Sequence, residues 1–129
     1  MNRGEKMTRV LLIGIEEKPE MRKGFGDHVV FFKTSATTES AKSFLSDADL
    51  FLLDGSLGTE ACTDFLNWAI QSTMCYGIIV EEICNLSLCI AGINAGIICD
   101  HVILPATAER YAEAWQRYQN RLERHISSR

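Results

Sequence analysis

Apolar residues gather in five short runs along the chain, and segments with helical periodicity separate them. The runs predict β-strands at Arg9–Ile15, His28–Lys33, Leu50–Leu53, Tyr76–Val80 and His101–Leu104. An unbroken run directs apolar side chains to both faces of a sheet, so both faces need cover. The pattern therefore predicts a buried sheet with other elements packed on either side.

The connections between the runs have the spacing of amphipathic helices. Thr38–Leu45, Phe65–Ile70 and Thr107–Ile126 each carry apolar residues three and four positions apart. Strands that alternate with helices form parallel sheets, because a parallel neighbour needs a crossover connection. We therefore predict an α/β fold with a parallel sheet that is covered on both faces.

The composition is typical of one globular domain. The 129 residues are 47% hydrophobic and 23% charged, with a formal net charge of −4. We expect a single domain, 1–129, with residues 1–8 as a flexible tail and 107–126 as the C-terminal helix. The acidic balance argues against direct nucleic-acid binding, and no apolar stretch approaches the roughly 20 residues of a membrane span. We therefore expect a cytoplasmic protein whose partners are proteins.

Acidic residues follow the predicted strands at the edge where chemistry gathers in such sheets. Glu16 and Glu17 follow the first strand, Asp54 ends the third, and Glu81 follows the fourth. If the strand order is 2-1-3-4-5, the first and third strands are neighbours and their carboxyl ends share one pocket. Glu16, Glu17 and Asp54 are thus candidate ligands for a divalent cation, and Mg²⁺ suits their oxygen atoms. Because glutamate is longer than aspartate, we expect this binding to be weak.

The cysteines are odd in number and include no C-x-x-C pair, the spacing that zinc and thioredoxin-like chemistry commonly use. They are Cys62, Cys75, Cys84, Cys89 and Cys99. Most lie in or beside apolar segments, so we expect reduced thiols that pack as small hydrophobes. A small α/β enzyme or a thiol redox protein acting at the same sheet edge is kept as an alternative.

Three segments, VLLIGIEEKPEMR, DLFLLDGSLG and NAGIICDHVILPAT, resemble in order and spacing the receiver domain of bacterial response regulators. The resemblance covers nearly the whole chain and implies a flavodoxin-like, doubly wound five-stranded parallel sheet. By position, Glu16 and Glu17 match the acidic pair that binds Mg²⁺ in that family. Asp54 matches the aspartate that accepts a phosphoryl group from a histidine kinase. The resemblance therefore implies a signalling domain and no enzyme.

Three switch positions depart from the receiver pattern. Glu81 stands where the family has Ser or Thr, and Leu104 stands where it has Lys. His101 is the nearest match to the aromatic switch residue of the fifth strand. A carboxylate at Glu81 adds like charge beside an incoming dianion, which disfavours phosphorylation. We therefore predict a degenerate or pseudo-receiver in which phosphorylation at Asp54 is weak or absent; the alternative is a phosphorylation-competent receiver.

The first helix is predicted to be short. It has room only for Pro19–Lys23 before Gly24 and Gly26, two glycines that end helices readily. The first helix of a receiver is usually much longer, and histidine kinases commonly dock against it. The short helix therefore argues against ordinary kinase recognition.

The resemblance also implies a partner surface on the fourth helix, fifth strand and fifth helix. The segment Ile83–Ile98 is apolar on more than one side, and we expect Ile90 and Ile93 to face the sheet. The partner is an output domain, a kinase or a second copy in a homodimer. The predicted interface consists of Leu86, Leu88, Trp115, Tyr118 and Leu122.

Overall fold

The computed structural model describes residues 7–72 and 75–127, which form a parallel five-stranded sheet covered by helices. The strands are β1 Thr8–Ile13, β2 Val29–Ser35, β3 Leu50–Asp54, β4 Tyr76–Glu81 and β5 Ile98–Ile103. The α-helices are α1 Pro19–Phe25, α2 Thr38–Ala41, α3 Thr59–Ser72, α4 Leu86–Ala95 and α5 Ala108–Ser127, with 3₁₀ turns at Lys42–Asp47 and Gly55–Leu57. The observed order, β2-β1-β3-β4-β5, confirms the predicted flavodoxin-like α/β topology.

Buried apolar side chains form two layers, one on each face of the sheet. Val10 and Leu12 of β1 lie in the layer that also contains residues of α1 and α5. Leu11 and Ile13 lie in the opposite layer, with residues of α3 and α4. Unbroken apolar runs thus supply both layers, as the alternation of side chains along a strand requires. Within the described ranges, no helix has both the length and the apolarity to cross a membrane.

Helix α1 is short, as predicted, yet it runs through Gly24 and ends at Phe25. Gly24 packs against α5 so closely that a Cβ there would lie 2.4 Å from the carbonyl oxygen of Ala108. Gly26, with φ +82°, follows the helix as its cap. Gly24 is therefore a close-packing residue, and the predicted end at Lys23 was too early.

Several predicted boundaries move: β1 ends at Ile13 and not at Ile15, and β2 extends to Ser35 and not to Lys33. Thr8 pairs with Val29 in the sheet, so the expectation that residues 1–8 form a flexible tail is wrong for Thr8; residues 1–6 lie outside the described part of the chain. Strand β5 begins at Ile98, earlier than the predicted His101. The apolar pattern missed this start because Asp100 interrupts the run. The C-terminal helix begins and ends within one residue of the predicted 107–126.

The Asp100 side chain joins β5 to α5. Its carboxylate accepts hydrogen bonds from Arg110 Nη1 at 2.8 Å and Nη2 at 3.0 Å, and from Arg117 Nη1 at 2.7 Å. Burial disfavours the charged carboxylate, but the hydrogen bonds and charges of these arginines, with the His101 backbone N–H, lower the pKa of Asp100 overall. A buried charge is thus tolerated within a strand because it is paired.

Helix α4 has the opposite orientation to the one predicted. Leu88 is fully buried, whereas Ile90 is 51% exposed and Ile93 is 76% exposed. Gly92 faces the sheet, where a Cβ would lie 3.1 Å from Ile98 Cγ1. Leu88 and Gly92, four residues apart, therefore define the inner face, which turns Ile90 and Ile93 outward. The prediction that Ile90 and Ile93 face the sheet, with Leu88 toward a partner, is wrong.

The aromatic stripe of α5 belongs largely to the core. Tyr118 is buried, and its ring packs against Tyr76 and Trp115 at centroid distances of 6.4 and 5.4 Å. Trp115 and Leu122 are partly buried against the same layer. The prediction that Tyr118 faces a partner is therefore wrong, because α5 uses this stripe to cover the sheet.

Candidate functional site

The carboxyl ends of β1, β3 and β4 surround an open pocket of about 790 Å³. Asp54, the last residue of β3, lies in its wall, and its Oδ1 accepts a hydrogen bond from the Ser56 backbone N–H at 2.9 Å. The pocket occupies the place where open parallel sheets gather their chemistry, beside the point at which strand order reverses. Asp54 is therefore accessible to a ligand at the predicted edge.

Of the two predicted acidic partners of Asp54, the structure brings one to the pocket. Glu16 lines it together with Asp54. Glu17 instead forms an ion pair with Arg22, with 2.7 Å between Oε2 and Nη2. Two carboxylates with free oxygen lone pairs fit a hard cation, but this is a sparser ligand set than three. Glu16 and Asp54 are therefore the residues that would hold a divalent cation.

Glu81 ends β4 and is almost fully buried, at 3% exposure, in the wall of the same pocket. Its Oε2 accepts the Asn85 backbone N–H at 3.0 Å and lies 2.5 Å from His101 Nε2. A Cβ added at Gly55 would lie only 2.2 Å from Glu81 Oε1. The carboxylate is therefore held in a fixed position next to the residue that follows Asp54.

His101 of β5 is held between two side chains. Its Nε2 faces the Glu81 carboxylate, and its Nδ1 lies 2.7 Å from Cys89 Sγ. The Cys84 and Cys89 sulfur atoms are 3.5 Å apart. Burial, the Cys84 thiol and the Glu81 charge raise the pKa of Cys89 to about 11, so this thiol is protonated at neutral pH. The His101 side chain thus lies inward and contacts a thiol and a carboxylate, a combination that the receiver pattern does not contain.

Leu104 lines the pocket at the position of the family's Lys, so this wall of the pocket carries no cation. A different cation is present: Lys18, in the loop between β1 and α1, lines the pocket on the side of Glu16. The sequence comparison with receivers did not single out Lys18, because the family pattern places its lysine on the fifth strand. The signal available was only its proximity to the acidic pair.

An exposed apolar surface lies beside the pocket. It follows the outer side of α4 and the end of β5, and we call it the α4 face. The exposed fractions of its side chains are high: Ile83 83%, Leu86 71%, Ile90 51%, Ile93 76% and Ile103 44%. Leu86 is the one predicted interface residue on α4 that lies there. By their spacing Leu86, Ile90 and Ile93 fall on one side of the helix, and exposed apolar patches of this kind mark interaction surfaces.

No protein-family model and no curated protein matches the chain, whereas solved structures do. One is the CheY-like response regulator receiver domain protein from Methanospirillum hungatei JF-1, with a TM-score of 0.68 at 15% identity, covering 92% of this chain and 99% of that one. Another is the REC domain of AraT, a response regulator from Geobacillus stearothermophilus, with a TM-score of 0.71 at 17% identity over 93% and 98%.

A third match is a pilus assembly-related protein from Burkholderia pseudomallei K96243, with a TM-score of 0.70 at 12% identity over 94% of this chain and 96% of that one. Identities this low establish the fold alone, because one fold hosts many functions. The chain therefore has the fold of response-regulator receiver domains, which confirms the predicted resemblance at the level of the fold. Its function has to be argued from the site.

Proposed function

We propose that the chain is a receiver-type signal-transduction domain that acts by protein–protein contact, with weak or absent phosphorylation at Asp54 and no enzymatic activity of its own. The observation that carries the proposal is the buried carboxylate of Glu81 in the wall of the Asp54 pocket. A phosphoryl group brings a charge of about −1.5 to −2 and needs donors around it. Glu81 offers an acceptor and a like charge instead.

The contacts of Glu81 make this repulsion difficult to relieve. Its carboxylate cannot swing away without losing the Asn85 N–H and the His101 ring. Leaving a buried donor without its partner costs about 1–3 kcal/mol. The pocket is therefore preset with a negative charge, a condition that favours one state of the domain without a kinase.

Mg²⁺ would reduce this repulsion in part. Glu16 and Asp54 are the residues that would hold it, and a divalent cation supplies neutralising charge and oxygen coordination. Because Glu17 is engaged by Arg22, we expect weak affinity.

The partner surface in this proposal is the α4 face. Its five exposed residues are aliphatic: Ile83 lines the pocket, Leu86, Ile90 and Ile93 follow along α4, and Ile103 ends β5. A protein partner such as an output domain, a kinase or a second copy would bury them. We propose that the domain works in the cytoplasm and contacts neither nucleic acid nor membrane directly.

The second candidate is a phosphorylation-competent receiver, and Lys18 is the observation that favours it. Lys18 lines the same pocket as Asp54, and its ammonium group can neutralise a phosphoryl oxygen there. In this version Lys18 compensates for Leu104.

Beryllofluoride and acetyl phosphate separate the two candidates. We expect wild-type protein with Mg²⁺ and beryllofluoride to show no amide NMR shifts around Asp54, and mass spectrometry to find no acyl phosphate. Glu81→Thr combined with Leu104→Lys should restore modification, and adding Asp54→Asn should remove it again. Modification of the wild type that is lost in Lys18→Ala would establish the competent receiver. A double variant that stays unmodified would contradict the role given to Glu81.

A further inference from the structure

Four side chains with metal-binding atoms converge between the end of β4 and the start of α4. Glu81, Cys84, Cys89 and His101 each offer one ligand atom, and these atoms all lie within 4.8 Å of one another. Three of the separations are short: 3.5 Å between the two sulfurs, 2.7 Å from Cys89 Sγ to His101 Nδ1, and 2.5 Å from His101 Nε2 to Glu81 Oε2. Two of its members, Glu81 and Cys84, also line the pocket that contains Glu16 and Asp54.

The backbone fixes the cluster. Asn85 caps α4, with its side chain accepting the Leu88 N–H, so Cys84 lies just before the helix and Cys89 lies on its first turn. His101 lies on β5, which pairs directly with β4. The two cysteines therefore approach the histidine from a capped helix start, and the histidine sits on a rigid strand.

The donor types select the metal. Two thiolates and an imidazole suit Zn²⁺, whose bonds to sulfur and nitrogen are about 2.3 and 2.0 Å in tetrahedral sites. Such bonds place two sulfurs about 3.8 Å apart and a sulfur and a nitrogen about 3.5 Å apart. The observed sulfur separation is close to this value. The distance from Cys89 Sγ to His101 Nδ1, now 2.7 Å, would have to lengthen by about 0.8 Å.

The position of Glu81 gives it a distinct role. Its carboxylate contacts the ring nitrogen of His101 that points away from the sulfurs. A carboxylate that accepts the second N–H of a ligating histidine fixes the tautomer and strengthens the ligand, as many zinc sites show. Glu81 is therefore a positioning residue, and the exposure of Cys84 gives water access to the cluster.

We propose that the chain binds one Zn²⁺ ion through Cys84 Sγ, Cys89 Sγ and His101 Nδ1, with Glu81 orienting His101 and water completing the coordination. On binding, the two thiols each lose a proton to solvent and no electrons are transferred. The proposal goes beyond the function proposed above and does not depend on it. The bound Zn²⁺ ion would then link the start of α4 to β5.

Cobalt substitution tests the site directly on the full chain. Any disulfide is first reduced to thiols, and bound metal is removed with a chelator. Co²⁺ should then bind with one-to-one stoichiometry. It should give a thiolate charge-transfer band in the near ultraviolet and the strong visible bands of tetrahedral coordination. Zn²⁺ should displace it, and competition with a chromogenic chelator then gives the Zn²⁺ affinity. Absence of the charge-transfer band in the reduced wild type would overturn the proposal. A pair of cysteines that only forms a disulfide, and does not bind the metal when reduced, would give this result.

The variants separate ligands from neighbours. Cys84→Ser and Cys89→Ser should each reduce the charge-transfer intensity by about half and weaken Zn²⁺ binding more than the roughly 10–100-fold that loss of a ligand's hydrogen-bond partner costs. Cys99→Ser, outside the cluster, is the matched control and should change neither. Glu81→Gln should weaken binding about 10–100-fold while keeping the thiolate band. Because Cys84 is exposed, its variant keeps the fold. Cobalt binding unchanged in Cys84→Ser would overturn the assignment, as would an equal loss in Cys99→Ser.

Discussion

Gly55 shows how one residue ties the pocket to the chemistry behind it. A Cβ there would lie 2.2 Å from Glu81 Oε1, and Oε2 of the same carboxylate is held by Asn85 and His101. Glu81 can give way only by losing those contacts. We therefore predict that Gly55→Ala lowers the free energy of unfolding by about 1–3 kcal/mol, measured by urea denaturation.

A double-mutant cycle isolates this contact. In a Glu81→Ala background the obstructing carboxylate is absent, so Gly55→Ala should cost much less than it does in the wild type. An equal cost in both backgrounds would show that the strain lies elsewhere.

The site residues divide into those that the sequence could predict and those that it could not. Asp54 and Glu16 were predictable as members of one pocket, because strand ends and strand order determine their neighbourhood. The partnership of His101 with Cys89 and Glu81 was not, since it depends on the rotation of α4 over β5. The lack of a C-x-x-C pair favoured reduced, packed thiols for Cys84 and Cys89, with thiol redox chemistry as the alternative, yet their sulfurs lie 3.5 Å apart across the start of α4. The C-x-x-x-x-C spacing of these two residues was the available signal.

Among the elements, α4 shows why periodicity alone failed. Its sequence is apolar all round, so hydropathy does not distinguish the inner side from the outer side. Gly92 decided the orientation by allowing the close approach to Ile98 that an isoleucine would prevent. The strands were easier to predict, because an unbroken apolar run predicts a strand buried on both faces and no inner face has to be assigned.

The β5–α5 pair depends on a charge. Asp100, buried in β5, accepts hydrogen bonds from Arg110 and Arg117 of α5. We predict that Asp100→Asn lowers the free energy of unfolding by about 1–3 kcal/mol at neutral pH, because charge-assisted hydrogen bonds are lost in a buried setting. Urea denaturation measures it. The matched control is Glu113→Gln, which removes an exposed partner of the same arginines and should cost less than about 0.5 kcal/mol.

The same pair predicts a pH dependence. The folded protein holds the pKa of Asp100 below its ordinary value of 3.8. A lowered pKa contributes stability that is fully present above the ordinary value and is lost as the pH falls through the folded one. The stability gap between wild type and Asp100→Asn should therefore narrow on acidification below about pH 4. A gap that stays constant with pH would mean that the loss arises from packing.

At the scale of the whole molecule, the fold was predictable because it rests on many local patterns that agree. Five apolar runs, crossover helices and a carboxylate at the end of β3 all point to one topology, and errors of a few residues at their ends do not change it. The exposed surface is not determined by many local patterns that agree in this way. Whether an apolar residue is exposed depends on the packing of its element, and for Leu88 and Tyr118 the packing reversed the expectation.

The α4 face gives the last prediction. It exposes Ile83, Leu86, Ile90, Ile93 and Ile103. A second copy is the simplest partner, since one patch that pairs with itself closes with two-fold symmetry. We predict that the wild type associates in a concentration-dependent way in sedimentation velocity, and that Leu86→Glu with Ile93→Glu makes it monomeric without loss of stability, because both side chains already face water. Ile70→Glu, at 41% exposure on α3, is the control and should leave association unchanged. A wild type that is monomeric at every concentration would rule out the homodimer and leave the face to a different protein.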